Sequence, residues 1–369
     1  MINPAKLIYF IFFLILFCKP LHSSTDPLCK SEILKPLKAV VFIPLVGDTG
    51  FWAMQHKFLV KVAFSLNIEL DIQNMNEEID PTFPANYLKQ TLENNHIDFV
   101  LSPLFFGNEN LLKFTSSKNI PIFTYNTSLD ARHNSLLGKP RENYPNWLGH
   151  ISPDDEGAGY MLAEALLTKT KNFNRLLAIA GKHQSVVSGN RERGLVNYFN
   201  SKGEALMPIV HSDWTFKRGY QVTKSMLKRD PNIEYIWVVS TSVAFGVIKA
   251  VEEMDKSDTI KVGAFDWLPE TMGLIENKTL FMSYGGHFVE AGKALIYMRD
   301  YIMGHDFKET SGVILKTKLN RLTLKNLNKY KNGILGTNWD KIDYKQFSYC
   351  LNQGKGRYEL SIDNLIGTN

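Results

Sequence analysis

Apolar strand-like segments followed by helix-like segments recur along most of the chain. The first pair is residues 39–45, a run of apolar, β-prone residues, and residues 51–66, which have the pattern of a helix. The alternation continues to a helix predicted over residues 287–303. Such apolar runs are typical of strands buried on both faces, and their alternation with helices predicts parallel sheets with right-handed crossovers. The chain is therefore predicted to be an α/β protein.

Residues 126–146 interrupt this alternation. They are polar, contain Pro140 and Pro145, and show no sustained period, so we interpret them as the crossing into a second lobe. We predict two Rossmann-like lobes with parallel sheets, joined by a multi-strand hinge. The predicted divisions are residues 25–126 with 286–311 for the N-terminal lobe, 127–285 with 312–342 for the C-terminal lobe, and 343–369 for a C-terminal tail.

The length and composition of the chain agree with this division. A chain of 369 residues is long for one core, and its hydrophobic content of 44% and charged content of 21% are ordinary for a globular protein. The formal net charge is only +5, and the lysines are scattered rather than clustered. This distribution does not indicate a nucleic-acid partner.

The N-terminus has the layout of a secretory signal peptide. Lys6 precedes an uninterrupted apolar run over residues 7–18, and Ser23 and Ser24 supply small residues near a cleavage point. The run is short for a membrane span, although an uncleaved anchor is the alternative. We predict that residues 1–24 are a signal peptide and that the mature chain is soluble and periplasmic.

Export changes what the cysteines are expected to do. Cys18 would leave with the signal peptide, so Cys29 and Cys350 would remain near the two ends of the mature chain. In an oxidising compartment this pair could form a disulfide, and two unpaired thiols are the alternative. Neither lies near a candidate site, so no catalytic thiol is indicated.

The first predicted strand leads directly into candidate binding chemistry. In AVVFIPLVGDTGFW, residues 47–50 form a tight turn with exposed backbone amides, and Phe51 and Trp52 follow at the start of a helix. Small polar groups beside two aromatic rings suit a sugar, which has hydroxyls on its edge and C–H groups on its faces. The alternative is that both rings belong to the core.

Several segments taken together resemble the type I periplasmic solute-binding proteins, especially those for pentoses, hexoses and the signal autoinducer-2. The resemblance covers about residues 38–320. GDTGFW is similar to a family turn with paired aromatics, which implies that Phe51 and Trp52 stack on a ligand and that Thr49 is a polar contact. IPIFTYNTS is similar to the segment whose first polar residue, here Asn126, contacts ligand hydroxyls.

The resemblance implies further contacts from the second lobe. GNRERG resembles the family's arginine turn, and a guanidinium such as that of Arg191 can donate to two oxygens at once. The alternative is that it is solvated or pairs with Glu192. An aspartate–aromatic turn implies that Trp214 closes the pocket, and STSVAFG implies a contact from Thr241. VGAFD places Asp266 at a strand end as a hydroxyl acceptor, or as a plain turn residue.

The last crossing departs from the sugar-binding pattern. YGGHF carries Gly286 and His287 where sugar-binding members have Gln or Arg, and Ser242 stands where the autoinducer-2 receptor has an aspartate. We interpret His287 as a hinge or cleft residue. The GGHF crossing and the tail FSYCLNQGKGRYELS resemble a subgroup in which some members look like ligand sensors for membrane signalling proteins.

The sequence contains no assembled set of catalytic groups. It has no G-x-G-x-x-G, G-x-S-x-G or G-x-x-x-x-G-K-[ST] motif, and Asp154 and Asp155 are interpreted as a helix cap. His287 and Glu290 have no matching second pair for a metal. We expect no catalytic residues, no cofactor and no metal. A cytosolic repressor of the same core fold would carry an N-terminal DNA-binding unit in place of the signal peptide.

These observations predict a monomeric, non-enzymatic solute-binding protein that closes on a sugar or a similar polyhydroxylated ligand. As a partner we expect the membrane permease of an ABC importer, to which the ligand is delivered. The alternative is a periplasmic ligand sensor that acts on a membrane signalling protein. A more distant alternative is an exported sugar-processing hydrolase.

Overall fold

The structure is a computed structural model, and it describes residues 29, 35–44, 47–75, 80–105, 108–170 and 172–365. The predicted signal peptide, residues 1–24, lies outside the described residues.

The first lobe is built on a parallel sheet with the strand order β2-β1-β3-β4-β5. Its strands are β1 Leu37–Ile43, β2 Ile68–Asn74, β3 Phe99–Pro103, β4 Ile122–Tyr125 and β5 Trp147–Pro153. The helices that connect them are α1 Gly50–Ser65, α2 Phe83–Thr91, α3 Glu109–Ser117 and α4 Ala131–Leu137. Because a parallel strand needs a crossover before the next one, helices cover the sheet and bury its strands.

Strand β1 shows why its sequence is apolar at successive positions. Val41 points into the main hydrophobic core, whereas Val40 and Phe42 point into a second cluster on the opposite face of the sheet. The ring of Phe42 lies edge-on to Phe83 and Tyr87 of α2, at 6.3 Å from each centroid. Successive side chains of a strand point to opposite faces, so a strand covered on both sides must be apolar throughout.

The second lobe repeats this arrangement with a sheet of strand order β7-β6-β8-β9-β10. Its strands are β6 Leu176–Ala180, β7 Val210–His211, β8 Tyr235–Val238, β9 Lys261–Phe265 and β10 Met282–Gly285. Its helices are α5 Asp155–Leu167, α6 Val186–Lys202, α7 Phe216–Arg229, α8 Thr241–Glu253 and α9 Pro269–Glu276. The predicted α/β class with two parallel-dominated sheets is confirmed.

Between β5 and β12, the described chain crosses from one lobe to the other three times. The first runs from β5 into α5, and the second from β10 into α10 Glu290–Ile302. The third runs from β11 Ile314–Thr317 to β12 Asn320–Leu322 and follows the short helix α11 Lys308–Ser311. Strand β11 pairs with β5 in the first sheet, and β12 pairs antiparallel with β10 in the second. The chain then forms helix α12 Leu327–Leu335. Short 3-10 helices span Phe173–Arg175, His287–Val289, Trp339–Lys341 and Tyr344–Phe347.

The sheet topology differs from the predicted lobe boundaries. Residues 127–153 were assigned to the second lobe, but β5 pairs with β4 in the first sheet, so the first crossing follows Pro153. Strand β11 likewise belongs to the first sheet rather than the second. The polar, proline-containing residues 126–146 include helix α4, and after them the chain returns to the first sheet as β5. The return is driven by burial of Trp147 and Ile151.

The predicted tail, residues 343–369, is packed on the body of the protein over its described part. Tyr344, Tyr358 and Leu360 are buried in the main core. A disulfide joins Cys29 to Cys350, which decides between the two alternatives left open by the sequence.

Candidate functional site

The two predicted stacking aromatics lie at the start of α1, where both are half-buried. The ring of Phe51 stacks on the imidazole of His287 with a centroid separation of 4.6 Å. Trp52 lies edge-on to Phe51 at 5.2 Å and to Phe105, which follows β3, at 6.4 Å. Thr49 is the extended residue immediately before α1. The aromatics of the first lobe therefore meet the second crossing.

Asn126 and Asp266 occupy corresponding positions in the two lobes. Asn126 directly follows β4 and has a φ of 70°, and Asp266 directly follows β9 and has a φ of 77°. Each donates its backbone N–H to a neighbouring strand, Asn126 to the carbonyl of Ile151 and Asp266 to that of Tyr284. Residues other than glycine rarely adopt this left-handed backbone conformation, and Asn and Asp tolerate it best. Both lobes thus end a strand with the same polar turn.

Arg191 lies on α6 and is buried. Its Nε donates to Oδ1 of Asp155 at 2.8 Å, and its Nη1 donates to the carbonyl oxygen of Val239 at 2.8 Å. The same Nη1 lies 3.9 Å from Oδ1 of Asp266, and the guanidinium lies 4.5 Å from the ring centroid of Phe265. The guanidinium is therefore neither solvated nor paired with Glu192, so both alternatives to a site position for Arg191 are wrong.

Close packing of two helices makes the Arg191–Asp155 contact feasible. At Gly159 of α5, an added β-carbon would lie 2.0 Å from the backbone oxygen of Arg191. Only glycine allows α6 to approach α5 at that distance. Asp155 lies one turn before Gly159 at the start of the helix, so its carboxylate reaches the guanidinium.

Asp155 contacts the candidate site through Arg191, and the sequence does not single it out for that position. Of the two adjacent aspartates, Asp154 is the cap and accepts from the N–H of Gly157, whereas Asp155 is buried against Arg191. Burial raises the pKa of Asp155 to about 6, against the opposing effect of the Arg191 charge. The 2.8 Å contact between its Oδ1 and Nε of Arg191 pairs this side chain with the guanidinium.

His287 and Asp266 face each other across the second crossing. Nε2 of His287 lies 3.7 Å from Oδ1 of Asp266. Burial lowers the pKa of His287 well below its usual range, and the charge of Arg191 lowers it further. Burial also raises the pKa of Asp266, partly offset by Arg191. The imidazole is therefore neutral, and Arg191 is the positive charge that faces Asp266.

The remaining two predicted contacts, Thr241 and Trp214, pack against backbone near the candidate site. The buried hydroxyl of Thr241 donates to the carbonyl oxygen of Phe265 at 2.7 Å, which fixes the turn carrying Asp266. Trp214 has a φ of 71°, and its ring covers Gly181 at the end of β6. An added β-carbon at Gly181 would lie 2.5 Å from that ring. Thr241 thus contacts backbone, and Trp214 caps a neighbouring strand end.

Two further buried polar side chains were not predicted as site residues. Gln55 lies one turn after Phe51 on α1, and neither atom of its amide has a hydrogen-bond partner in the described part of the chain. Glu290 lies one turn after His287, and burial raises its pKa well above the usual range. The one-turn spacing from Phe51 was the available signal for Gln55.

Residues 40–305 match the family described as the periplasmic binding protein domain. The chain belongs to the periplasmic binding protein family. The match covers both lobes and the second crossing, so the elements that carry the site all lie within it. The resemblance stated from sequence motifs is confirmed at the level of the family.

Individual relatives of this periplasmic binding protein are distant in sequence. The D-allose-binding periplasmic protein of Escherichia coli (strain K12) is 22% identical over 231 residues, which cover 61% of this chain and 72% of that protein. A periplasmic sugar-binding protein from Pseudomonas fluorescens superposes with a TM-score of 0.74 at 21% identity, covering 87% and 95% of the two chains.

A third relative is the binding component of the arabinose ABC transporter from Shewanella sp. ANA-3, solved with bound L-arabinofuranose. It superposes with a TM-score of 0.68 at 15% identity, covering 81% of this chain and 96% of that one. At such identities the solved structures establish the fold of this periplasmic binding protein.

An open polar groove of about 460 Å³ runs beside the first crossing of this periplasmic binding protein. Its lining includes Ser128, Asp154, Asn190, Arg193 and Lys316. Asp154 and Asn190 are the chain neighbours of Asp155 and Arg191, but none of the predicted site residues lines the groove. It is therefore separate from the Phe51–His287–Asp266 site.

Two further observations concern metal and membrane. Within the described residues, no three His, Cys, Asp or Glu side chains are grouped as ligands for a metal ion. Among the helices of the described part of the chain, none combines the length and hydropathy needed to cross a bilayer.

Proposed function

We propose that this periplasmic binding protein closes on a sugar or a sugar-like polyhydroxylated ligand and delivers it to an ABC importer. One observation carries the proposal. Phe51, at the start of α1 in the first lobe, stacks on His287, and Nε2 of His287 lies 3.7 Å from Oδ1 of Asp266, which faces Arg191 in the second lobe. Rings from one side and charged hydrogen-bonding groups from the other are the two surfaces that a sugar requires.

The chemistry of each group fits a different part of such a ligand. One face of Phe51 is covered by His287, so its other face and the ring of Trp52 are the surfaces that would stack on the C–H faces of a sugar. Asp266 accepts from hydroxyls, and the amide of Asn126 can both donate and accept. Arg191, held by Asp155 and Val239, offers its remaining N–H groups in a fixed direction.

Closure of the lobes would strengthen these contacts. Excluding water lowers the effective dielectric around Asp266 and Arg191, so each hydrogen bond to the ligand becomes stronger. No covalent step and no cofactor enter this mechanism. The relatives support the ligand class, since two of them are named for D-allose and arabinose. We further propose that the protein acts as a periplasmic monomer and that its partner is a membrane permease.

A thermal-shift screen against pentoses, hexoses and polyols tests the proposal. A ligand that binds only the folded chain must raise its melting temperature by mass action. For the ligand found, Asp266→Asn is expected to weaken binding about 10- to 100-fold, because a hydrogen bond to a charged group is worth about 1.5–3 kcal/mol. Trp52→Ala should weaken it about tenfold or more through lost stacking.

Phe64→Ala is the matched control for Trp52→Ala. Phe64 is an aromatic on the last turn of the same helix, and its exposed fraction is 88%. Its removal should leave the affinity unchanged in calorimetry. The proposal fails when no sugar or polyol shifts the melting temperature, or when Trp52→Ala and Asp266→Asn both bind as the parent does.

A further inference from the structure

The C-terminal segment, defined here as residues 323–365, packs behind the strand end that carries Asp266. Trp267 follows Asp266, and its ring centroid lies 4.6 Å from that of Tyr330 on α12. On the same helix, Nζ of Lys331 lies 3.8 Å from Oε1 of Glu276, the last residue of α9. Helix α12 is thus attached to the second lobe directly behind the site.

The same segment also contacts the first lobe. Trp339 packs edge-on to Phe58 of α1, with centroids 5.1 Å apart, and against Phe288 at 5.6 Å. Phe288 is the residue after His287. Lys61 of α1 pairs with Asp340 at 2.6 Å. One continuous stretch of chain therefore joins both lobes, and it touches the neighbour of each facing site residue.

A third contact falls on the crossing itself. Gly286, the residue before His287, has a φ of 98°, and an added β-carbon would lie 2.9 Å from Cγ2 of Ile362. Ile362 is buried and also packs against Gly333 of α12. The backbone that presents His287 is therefore held from behind by the C-terminal segment.

The segment is anchored rather than loosely attached. The buried carboxylate of Asp300 on α10 accepts from the N–H of Tyr349 at 2.7 Å and from the hydroxyl of Ser348. Asp363 accepts from Tyr330 at 2.9 Å, which ties the end of the segment back to α12. The Cys29–Cys350 disulfide adds a covalent attachment.

We infer that the C-terminal segment is a positioning element for the ligand site, in which Ile362 and Trp339 hold His287 opposite Asp266 and limit how far the lobes open. The inference rests on the function proposed above. Opening rotates one lobe against the other about the crossings, and contacts to both lobes resist that rotation. The apparent affinity falls in proportion to the fraction of molecules in the binding-competent arrangement. A segment that restricts opening increases that fraction and therefore raises the affinity.

The test measures opening and binding separately in the full chain. Spin labels on unnatural amino acids at Lys89 of α2 and Lys228 of α7, both exposed, report the interlobe distance by double electron–electron resonance without disturbing the disulfide. Ile362→Ala and Trp339→Ala are expected to lengthen and broaden the ligand-free distance distribution. For the sugar found in the screen, they should weaken binding on the order of tenfold.

Ile97→Ala is the matched control, since it truncates another buried isoleucine, which lies just before β3 of the first sheet. It should lower the melting temperature as Ile362→Ala does without changing distance or affinity. Ile362→Val removes less of the side chain and should keep a distance distribution close to that of the parent. Unchanged distances in Ile362→Ala and Trp339→Ala, or an equal change in Ile97→Ala, overturn the inference.

The distance measurement needs no ligand, so the two proposals can fail independently. Lengthened distances in a chain that binds no sugar would support the positioning role and reject the proposed ligand class. Unchanged distances in a chain that binds sugar normally would reject the positioning role alone.

Discussion

The guanidinium of Arg191 donates to the carboxylate of Asp155 at 2.8 Å in a pair that is almost fully buried. The two residues come from neighbouring helices, α5 and α6, of the second lobe. The charge of Arg191, which we propose as a ligand contact, is therefore already balanced within the protein, and Asp155 sets the direction of its guanidinium. The pair, together with the contact from Nη1 to the carbonyl oxygen of Val239, fixes the direction of the guanidinium on the side of the second lobe.

Removing one member of this pair should be costly. Asp155→Ala leaves the Arg191 charge buried without its carboxylate, and we expect a loss of about 3–5 kcal/mol in the free energy of unfolding. Urea denaturation measures the loss. Because the cost is that of an uncompensated buried charge, the double variant Asp155→Leu with Arg191→Met should recover part of the stability, and the rest stays lost because Asp266 no longer faces a guanidinium.

The neighbouring acidic residue supplies the control for this prediction. Glu156 pairs with Arg193 at 3.2 Å on the surface, so Glu156→Ala should cost less than about 1 kcal/mol. Similar losses in Asp155→Ala and Glu156→Ala would contradict a buried, structurally important pair.

His287 should make stability depend on pH. It faces Asp266, Arg191 and the ring of Phe51, and its pKa is lowered well below the ordinary value of 6.5. Below pH 6.5 the unfolded chain takes up a proton that the folded chain does not, so this contribution to stability is present above pH 6.5 and is lost as pH falls. The slope from one such group is about 1.4 kcal/mol per pH unit.

Comparing the parent with His287→Gln isolates this contribution, because the carboxylates titrate in both. Denaturation from pH 7.5 down to about pH 5 should show a steeper loss in the parent. His96→Gln changes a largely exposed histidine and should follow the parental curve. Parallel curves for the parent and His287→Gln would show that His287 takes up a proton as readily in the folded chain.

A buried polar network should stabilise the first sheet. The indole N–H of Trp147 donates to Oγ1 of Thr124 at 2.8 Å, and the same hydroxyl lies 2.9 Å from Nδ1 of His150. Thr124→Val keeps the shape but leaves both groups without their partner, so we expect a loss of about 1–3 kcal/mol. Thr124→Ser keeps the hydroxyl and should cost less. Equal losses in the two variants would assign the effect to packing alone.

The disulfide should contribute substantially to stability, because it joins residues separated by 321 positions. Replacing both cysteines, Cys29→Ser with Cys350→Ser, should lower the free energy of unfolding by about 2–5 kcal/mol. Dithiothreitol should lower the melting temperature of the parent to that of the double variant and leave the variant unchanged. A reductant effect on the double variant would point to a cause other than this bond.

Much of the fold could be predicted from the sequence because local patterns and local burial coincide. The apolar run predicted as a strand at residues 39–45 corresponds to β1, which spans Leu37–Ile43. Only the assignment of β5 to the second lobe was wrong, since Trp147 and Ile151 follow a proline-containing polar loop that resembles a domain crossing. No local pattern states which sheet the next strand will join.

Part of the candidate site could likewise be predicted from the sequence, and part could not. Phe51, Trp52 and His287 were identified as candidates, and the structure brings them together at the second crossing. The sequence predicts a cap for Asp155 as well as for Asp154, because two adjacent aspartates before a helix are equally suited to that role. The close approach at Gly159 decides which of them pairs with Arg191, and it depends on how α5 and α6 pack.

The sequence by itself determined the α/β alternation, the polar turns that end strands and the presence of two cysteines able to pair. These are consequences of period and residue type within short stretches. Only the tertiary structure decided which sheet took β5 and β11, which aspartate met Arg191, and that the C-terminal segment packs behind His287. Those outcomes depend on which distant surfaces fit one another, and complementarity between distant surfaces is not written in any local pattern.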